Sequence, residues 1–155
     1  MSEKQLSKLF GLENSHQIAV YIEQDGYRAI KKALADYTPD AILDLVKAAH
    51  LRGRGGAGFP AGIKWGFVPK ETEKPKYLCV NADEGEPGTF KERVILTELP
   101  ELLFEGMAIA GYAIGAREGI VYLRYEYSYL KDHLESVLSQ MREKDLLGKK
   151  FDIRI

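Results

Sequence analysis

A glycine-rich segment at residues 52–65, with the sequence RGRGGAGFPAGIKW, combines flexible backbone with fixed positive charge. Glycines let backbone N–H groups approach a ligand because no Cβ stands in the way, and successive N–H groups can form a concave anion site. Arg52, Arg54 and Lys64 can neutralise a phosphate group. Phe59, Trp65 and Phe67 offer flat surfaces for a ring system. The segment therefore predicts a site for an anion or a flat polar ligand; the alternative is a mobile linker of turn glycines.

The spacing of Gly53, Gly55 and Gly58 satisfies the pattern G-x-G-x-x-G. Its usual dinucleotide-binding meaning requires a strand before the glycines and a helix after them. Here the preceding residues, ILDLVKAAHL, have a helical pattern, so the expected context is missing. The nucleoside-triphosphate loop pattern also fails, because no Gly-Lys-Ser or Gly-Lys-Thr occurs. The pattern alone identifies no nucleotide.

A second polar segment, NADEGEPGTFKER at residues 81–93, directly follows the apolar stretch YLCV. Ligands of open α/β sheets bind beyond the carboxyl ends of strands. Four side chains therefore lie where a site is expected: Asn81, Asp83, Glu84 and Glu86. An amide and carboxylates can bond to ribose hydroxyls or ring N–H groups, but carboxylates also bind Mg²⁺ or Ca²⁺, and an acidic turn is often merely solvated. With the basic glycine loop, the segment suits FMN or a nicotinamide nucleotide.

Hydrophobic periodicity predicts the elements that position these two loops. Short helices are expected within residues 1–37, and a helix capped by Thr38 runs to about His50. A short helix is expected at residues 61–67. The later predicted elements are strands at 77–80, 119–127 and 151–155, and helices at 91–98, 100–116 and 128–147. This alternation implies an α/β fold, with N-terminal helices followed by a mostly parallel sheet flanked by helices.

The chain divides into an N-terminal helical segment, residues 1–37, and a partial α/β domain, residues 38–155. Within the second strand, Val121, Leu123 and Tyr125 are expected to share one face. The first strand is continuously apolar and is expected to be buried on both faces, which makes its Cys79 a core residue. The last strand stops at the final residue, so we expect a fragment of a longer protein.

Composition limits the function classes. The 155 residues include 22 Lys and Arg against 23 Asp and Glu, so the basic excess of a general nucleic-acid binder is missing. A single cysteine cannot form an internal disulfide or hold an iron–sulfur cluster alone, and the histidines show no metal spacing. No stretch approaches the roughly 20 apolar residues that span a bilayer. We therefore expect a cytoplasmic protein without bound metal, nucleic acid or membrane insertion.

Two long segments, LRGRGGAGFPAGIKW and VNADEGEPGTFKER, occur in this order and carry a resemblance to a known family. They resemble the flavin-carrying, NADH-oxidising subunit of respiratory complex I. The same module occurs in NAD-linked and electron-bifurcating hydrogenases and in some formate dehydrogenases. The similarity in spacing extends over residues 27–155. It implies a Rossmann-like FMN-binding domain that is truncated at its C-terminus.

The resemblance also implies roles for individual residues. The FMN-binding residues would be Gly53, Arg54, Gly55, Gly56, Lys64, Asn81, Asp83 and Glu84. The NADH-binding residues would be Phe59 and Phe67, which stack on the adenine, and Glu86, which touches the nicotinamide nucleotide. The implied reaction is hydride transfer from NADH to FMN, followed by passage of single electrons to iron–sulfur clusters. No side chain need act as an acid or base, because the cofactor does the chemistry.

Two features of the family are missing from this chain. The family continues into a glycine-rich stretch with paired glutamates that completes the pocket, and later carries a four-cysteine iron–sulfur site. The isolated chain is therefore expected to be inactive, with its electron exit in the missing C-terminal part. The implied partners are NADH and other subunits of a multi-subunit redox complex, which could hold the protein at the inner face of the cell membrane. The electron acceptor stays open, and a non-redox nucleotide-binding module or a structural docking fragment are the alternatives.

Overall fold

The computed structural model describes residues 6–71 and 73–155. The N-terminal helices are α1 (Ile18–Glu23), α2 (Arg28–Asp36), α3 (Pro39–Ala48) and α4 (Ala61–Gly66). The sheet region contains β1 (Tyr77–Ala82), α5 (Lys91–Glu98), α6 (Pro100–Ile114), β2 (Glu118–Leu123), a 3₁₀ helix (Tyr125–Leu130), α7 (Lys131–Glu143) and β3 (Asp152–Arg154). The strands lie in the order β1-β2-β3, and both pairs are parallel. This topology confirms the predicted α/β class.

Helix α3 begins where its sequence signals predicted. Thr38 is the N-cap and its hydroxyl accepts a hydrogen bond from the Ala41 amide at 3.3 Å. Pro39 occupies the first turn, where its missing N–H removes no helical hydrogen bond. The chain then leaves the helix, and His50 adopts a positive φ of 50° just before the glycine loop. Local signals therefore fix the element that leads into the loop.

Helix α6 forms the centre of the main core. Phe104 and Met107 pack in one cluster with Leu138 of α7 and Ile153 of β3. Gly111 permits a close approach, since a Cβ at this position would lie only 2.5 Å from the Phe151 ring. The helix therefore holds α7 and the sheet together. None of the helices in the described ranges is long and apolar enough to cross a membrane.

One face of β1 is open to solvent, so the prediction of a strand buried on both faces is wrong. Leu78 and Val80 line an apolar groove together with Met107 of α6. The alternate residues of the strand point the other way: Tyr77 is 54% exposed and Cys79 is also exposed. Cys79 is therefore not a core residue. Exposed and partly buried residues therefore alternate along β1. The sequence YLCV does not reveal this alternation, because apolar residues occupy both faces of the strand.

The second strand is shorter than predicted. It ends at Leu123, and the chain turns into the 3₁₀ helix that precedes α7. Tyr125 is consequently 88% exposed and does not share a strand face with Val121, which is buried. Helix α7 likewise spans fewer residues than the predicted 128–147. The early end of β2 turns the residues after it towards the end of β1.

A buried carboxylate on α6 ties down the N-terminal helices. Glu105 accepts hydrogen bonds from the Tyr21 hydroxyl at 2.5 Å, from the Tyr27 amide at 3.0 Å and from the Ile30 amide at 2.9 Å. The Tyr21 and Tyr27 rings also make an edge-on contact with centroids 5.0 Å apart. Burial, reinforced by the neighbouring Glu105 carboxylate, raises the pKa of Tyr21. The domain boundary at residue 37 stays a prediction.

Candidate functional site

The glycine loop, residues 53–59, is closed at its base by backbone hydrogen bonds. Gly53 donates to the Phe59 carbonyl at 2.9 Å, and Arg52 and Pro60 form an antiparallel bridge. The Arg52 guanidinium also donates to the Gly58 carbonyl at 3.1 Å. Arg52 therefore holds the loop closed, and the segment is a formed loop with a fixed base.

The tip of the glycine loop leaves its amide donors available. In residues 6–71 and 73–155, the amides of residues 54–58 donate to no other group. Gly56 has a φ of 105°, and a Cβ at Gly55 or Gly56 would meet nothing within 4 Å. The Arg54 and Lys64 side chains are exposed, and neither forms an ion pair within the described part of the chain. Free N–H donors and two exposed cations, one in the loop and one on α4, have the chemistry that a phosphate group requires.

Two of the residues predicted to stack on a ring lie together: Phe59, the last residue of the glycine loop, and Phe67, which follows α4. The Phe59 and Phe67 rings have centroids 6.2 Å apart and are tilted by 47°. They are 47% and 70% exposed, respectively. Trp65, between them on α4, packs instead against the cluster that contains Ile42 and Leu43 of α3. Phe59 and Phe67 are therefore available to a ligand, whereas Trp65 anchors α4.

The acidic loop, residues 81–86, presents three of its four predicted polar side chains to solvent. Asn81, Asp83 and Glu86 are exposed. The Asn81 side-chain oxygen accepts a hydrogen bond from the Asp83 amide at 2.9 Å, which forms a tight turn after β1. The Glu86 carbonyl accepts from the Thr89 hydroxyl at 2.6 Å, so the loop turns again after Glu86. Both exposed carboxylates are free to meet a ligand.

Glu84 differs from the other acidic side chains because it is buried, with only 6% exposed. Its carboxylate accepts hydrogen bonds from the Glu92 amide at 3.0 Å, the Arg93 amide at 3.3 Å and the Tyr127 hydroxyl at 2.9 Å. Burial on its own would raise the pKa of Glu84, but the neighbouring Glu92 carboxyl group, together with these hydrogen bonds, outweighs burial and lowers the pKa of Glu84 to about 2. Glu84 is therefore ionised and already fully engaged.

Arg124, which follows β2, supports the same loop through its backbone and side chain. Its amide donates to the Ala82 carbonyl at 3.1 Å, and its guanidinium donates to the Glu84 carbonyl at 2.6 Å. The guanidinium also pairs with Glu126 at 2.8 Å. The sequence patterns did not indicate Arg124 or Tyr127 as residues of this site. Their position just after the strand that neighbours β1 was the available signal, since the ends of parallel strands meet at one edge of a sheet.

Glu92 lies in the first turn of α5, close to Glu84. Its Oε2 atom is buried and makes no hydrogen bond to the described residues. Burial and the neighbouring Glu84 carboxylate raise the pKa of Glu92, although an ion pair with Lys91 opposes this shift. The pKa values of the two carboxyl groups are thus shifted in opposite directions, downwards for Glu84 and upwards for Glu92.

The elements that carry the two loops meet at one apolar groove of about 370 Å³. Trp65 of α4 and Leu78 and Val80 of β1 are among the residues that line it. In the part of the chain that the structure describes, no hydrogen bond joins the glycine loop to the acidic loop. The prediction that both loops surround one ligand therefore stays a prediction, and so do the roles assigned to their residues.

Comparisons with known proteins now place the chain among relatives. Residues 46–155 match the family described as the Nuo51 FMN-binding domain. The chain is 51% identical over 148 residues to an NADH-quinone oxidoreductase subunit of Rhizobium meliloti, covering 96% of this chain and 35% of that protein. It is 53% identical over 125 residues to the alpha subunit of the NAD-reducing hydrogenase HoxS of Cupriavidus necator, covering 76% and 21%, respectively.

A solved structure supports the same relationship. The chain is similar to a chain in the crystal structure of an NAD⁺-reducing [NiFe]-hydrogenase in the H₂-reduced state, with a TM-score of 0.73 and 42% identity. The match covers 89% of this chain and 25% of that chain. The sequence thus spans about a third or less of the relatives described here.

Proposed function

The chain belongs to the family described as the Nuo51 FMN-binding domain, and on that premise we propose that it forms the FMN- and NADH-binding part of a larger oxidoreductase subunit. The observation that carries the proposal is the run of amides at residues 54–58, which donate to no group among the described residues, together with the exposed side chains of Arg54 and Lys64. A phosphate group needs such donors and cations. The loop that supplies them lies within the region that matches the family.

Each loop would hold a different part of the cofactor. The amides of Gly55 and Gly56, with the Arg54 and Lys64 side chains, would bind the FMN phosphate. The acidic loop would hold the ribityl chain and ring edge through two direct contacts, Asn81 and Asp83. Glu84 would contribute indirectly, by supporting the loop. A direct contact by the Glu84 carboxylate would have to displace one of its three hydrogen bonds.

The NADH site would lie beside the flavin. Phe59 and Phe67 are exposed and adjacent, and their tilted rings could receive the adenine between or against them. Glu86 would contact the nicotinamide nucleotide through its free carboxylate. FMN, when bound, accepts a hydride from NADH and releases electrons singly. These residues would set the distance and orientation of the two ring systems, and no proton-transferring side chain is required.

The names of the relatives indicate the context of this activity. Those relatives are subunits of an NADH-quinone oxidoreductase and of an NAD-reducing hydrogenase. We propose that this chain likewise works with partner subunits, which receive its electrons through iron–sulfur clusters outside these 155 residues. Both kinds of relative share the module, so the chain alone leaves quinone reduction and hydrogenase chemistry equally open.

Removal of a single cation from the glycine loop tests the proposal. In the full-length protein, Lys64→Gln should weaken FMN binding by roughly 10- to 150-fold, since a charge-assisted hydrogen bond to phosphate contributes about 1.5–3 kcal/mol. Flavin fluorescence during titration with FMN measures the affinity. Lys150→Gln is the matched control, because Lys150 is also exposed but precedes β3 and belongs to neither of the two loops.

Competing ligands separate the proposal from a plain phosphate-binding module. We expect FMN to bind more tightly than riboflavin, which lacks the phosphate, and more tightly than AMP, which lacks the flavin ring. Equal affinities for FMN and AMP would favour the non-redox module. Equal effects of Lys64→Gln and Lys150→Gln would contradict the assignment of the phosphate to the glycine loop.

A further inference from the structure

We propose that Arg124 and Tyr127 are positioning residues that clamp the acidic loop through Glu84, and thereby preorganise the proposed FMN site. The inference rests on the proposed function for the identity of the ligand, but the clamp itself is a property of this chain alone. It gives Glu84 an internal role, in contrast to the free carboxylates of Asp83 and Glu86. We refer to the contacts among Glu84, Arg124 and Tyr127 as the Glu84 clamp.

The first part of the clamp is the junction between Glu84 and α5. The residue before this helix, Phe90, provides no side-chain cap. Glu84 supplies the cap from a distance, because its two carboxylate oxygens accept the amides of Glu92 and Arg93 in the first turn. A carboxylate is favoured there by the positive end of the helix. The acidic loop and α5 are thus joined by a buried, ionised group.

The second part is the grip of Arg124 on the loop backbone. Its amide bonds to the Ala82 carbonyl and its guanidinium to the Glu84 carbonyl, so one residue holds both sides of Asp83. Gly85 makes room for this contact. A Cβ at Gly85 would lie 3.2 Å from the guanidinium nitrogen, closer than such atoms normally approach. The glycine and the arginine therefore fit as a pair.

The third part is the Tyr127 hydroxyl, which donates to Glu84 at 2.9 Å. Hydrogen bonds to an ionised group are stronger than those between neutral groups. Tyr127 stands in the 3₁₀ helix after β2, where the early end of that strand places it. The clamp therefore draws on β2, the 3₁₀ helix and α5 to fix a loop that follows β1.

The consequence for function is preorganisation of the exposed side chains. With both carbonyls around Asp83 held, the Asp83 carboxylate and the Asn81 amide project from a backbone that has little freedom. A site whose groups are held by their own supporting contacts binds its ligand at a lower entropic cost. Loosening the clamp should therefore weaken FMN binding without removing any group that touches FMN.

The test compares two tyrosines that lie two residues apart. Tyr127→Phe removes only the hydroxyl that bonds to Glu84. Tyr125→Phe is the control, because Tyr125 is 88% exposed and its hydroxyl donates to no group in the described ranges. Both substitutions are made in the full-length protein. Arg124→Lys is a second variant, which keeps the charge but loses the forked geometry of the guanidinium.

Amide hydrogen exchange in the cofactor-free protein tests the clamp directly. Tyr127→Phe should accelerate exchange about tenfold at three amides inside the clamp, those of Asp83, Glu92 and Arg93. The core amide of Val121 should exchange as in the parent protein. Unchanged exchange at the three amides would overturn the clamp. A uniform acceleration that includes Val121 would show a loss of global stability and would overturn the positioning role.

FMN affinity then tests the connection to the site. We expect Tyr127→Phe and Arg124→Lys to raise the FMN dissociation constant by several-fold, while Tyr125→Phe leaves it unchanged. Accelerated local exchange with unaltered FMN affinity would show that the clamp does not position the site. If the parent protein binds no FMN at all, the proposed function fails, whereas the exchange measurement still decides whether the clamp exists.

Discussion

Glu101 provides the sharpest test of how the core of this protein responds to pH. The residue lies in the first turn of α6, its side chain is fully buried, and neither carboxylate oxygen has a hydrogen-bond partner in the described part of the chain. Burial raises its pKa from 4.5 to about 7. The Tyr27 hydroxyl is likewise buried without a partner, and burial together with the Glu101 charge raises the pKa of Tyr27. This part of the core therefore favours a neutral Glu101.

The sign of the pH effect follows from this shift. An acid whose pKa is higher in the folded state favours folding while it is protonated, and this contribution is lost as the pH rises from 4.5 towards 7. A difference of 2.5 pKa units, from 4.5 to about 7, corresponds to about 3 kcal/mol above pH 7. Glu101→Gln replaces the acid with a neutral group of the same shape, so we expect this part of the pH dependence to disappear.

Urea unfolding of parent and variant at pH 5 and pH 8 provides the measurement. The free energy of unfolding of the parent should fall relative to that of Glu101→Gln by roughly 2–3 kcal/mol between the two pH values. Comparing the two proteins isolates Glu101, because other groups such as Glu92 titrate in both. Glu143→Gln, at an exposed position near the end of α7, is the control. Parallel pH profiles for parent and Glu101→Gln would refute the reasoning.

Three further predictions concern packing, hydrogen bonding and charge. Gly111→Ala should destabilise the fold by about 1–3 kcal/mol, because the added Cβ would overlap the Phe151 ring. Gly106→Ala in the same helix is the control; its Cβ would enter open space, so this change should be neutral or stabilising. Urea unfolding measures the free energy of unfolding of both variants. Tyr21→Phe should cost about 1.5–3 kcal/mol in the same assay by removing the hydroxyl that donates to Glu105, and a loss below about 0.5 kcal/mol would contradict a strong buried bond. Glu86→Gln should raise the flavin midpoint potential in the full-length protein, because a negative charge nearby disfavours added negative charge on the reduced ring; an unchanged potential in a redox titration would remove the electrostatic argument.

The features that sequence analysis predicted correctly are those with local causes. Helix α3 begins at Thr38 and Pro39 because a capping hydroxyl and a fixed φ act within one turn. The helices α5 and α6 and the strand β3 follow from apolar periodicity over a few residues. Parallel pairing of the strands follows from their alternation with helices, since a parallel connection needs a crossover.

The features that were missed depend on tertiary contacts. Cys79 looks like a core residue in an apolar stretch, but its face of β1 is open because α6 packs on the other side. Tyr125 continues the alternation of β2, yet the ladder ends before it. In β1, apolar residues on both faces hid which face is exposed. After β2, the sequence keeps alternating although the strand has ended. Both outcomes are decided by contacts with other elements, which the residues of the pattern do not reveal.

The acidic loop shows why residue type alone could not assign roles within the candidate site. Glu84 and Glu86 are identical side chains two positions apart, yet one is buried with three donors around it and the other is exposed. The difference arises because α5 and the 3₁₀ helix direct their donors at Glu84 only. In this loop one carboxylate is used to hold the backbone, and an ordered loop spares a ligand the entropic cost of ordering it. Substitution of Glu84 should therefore loosen the whole loop, whereas substitution of Glu86 should change only the charge at the ligand.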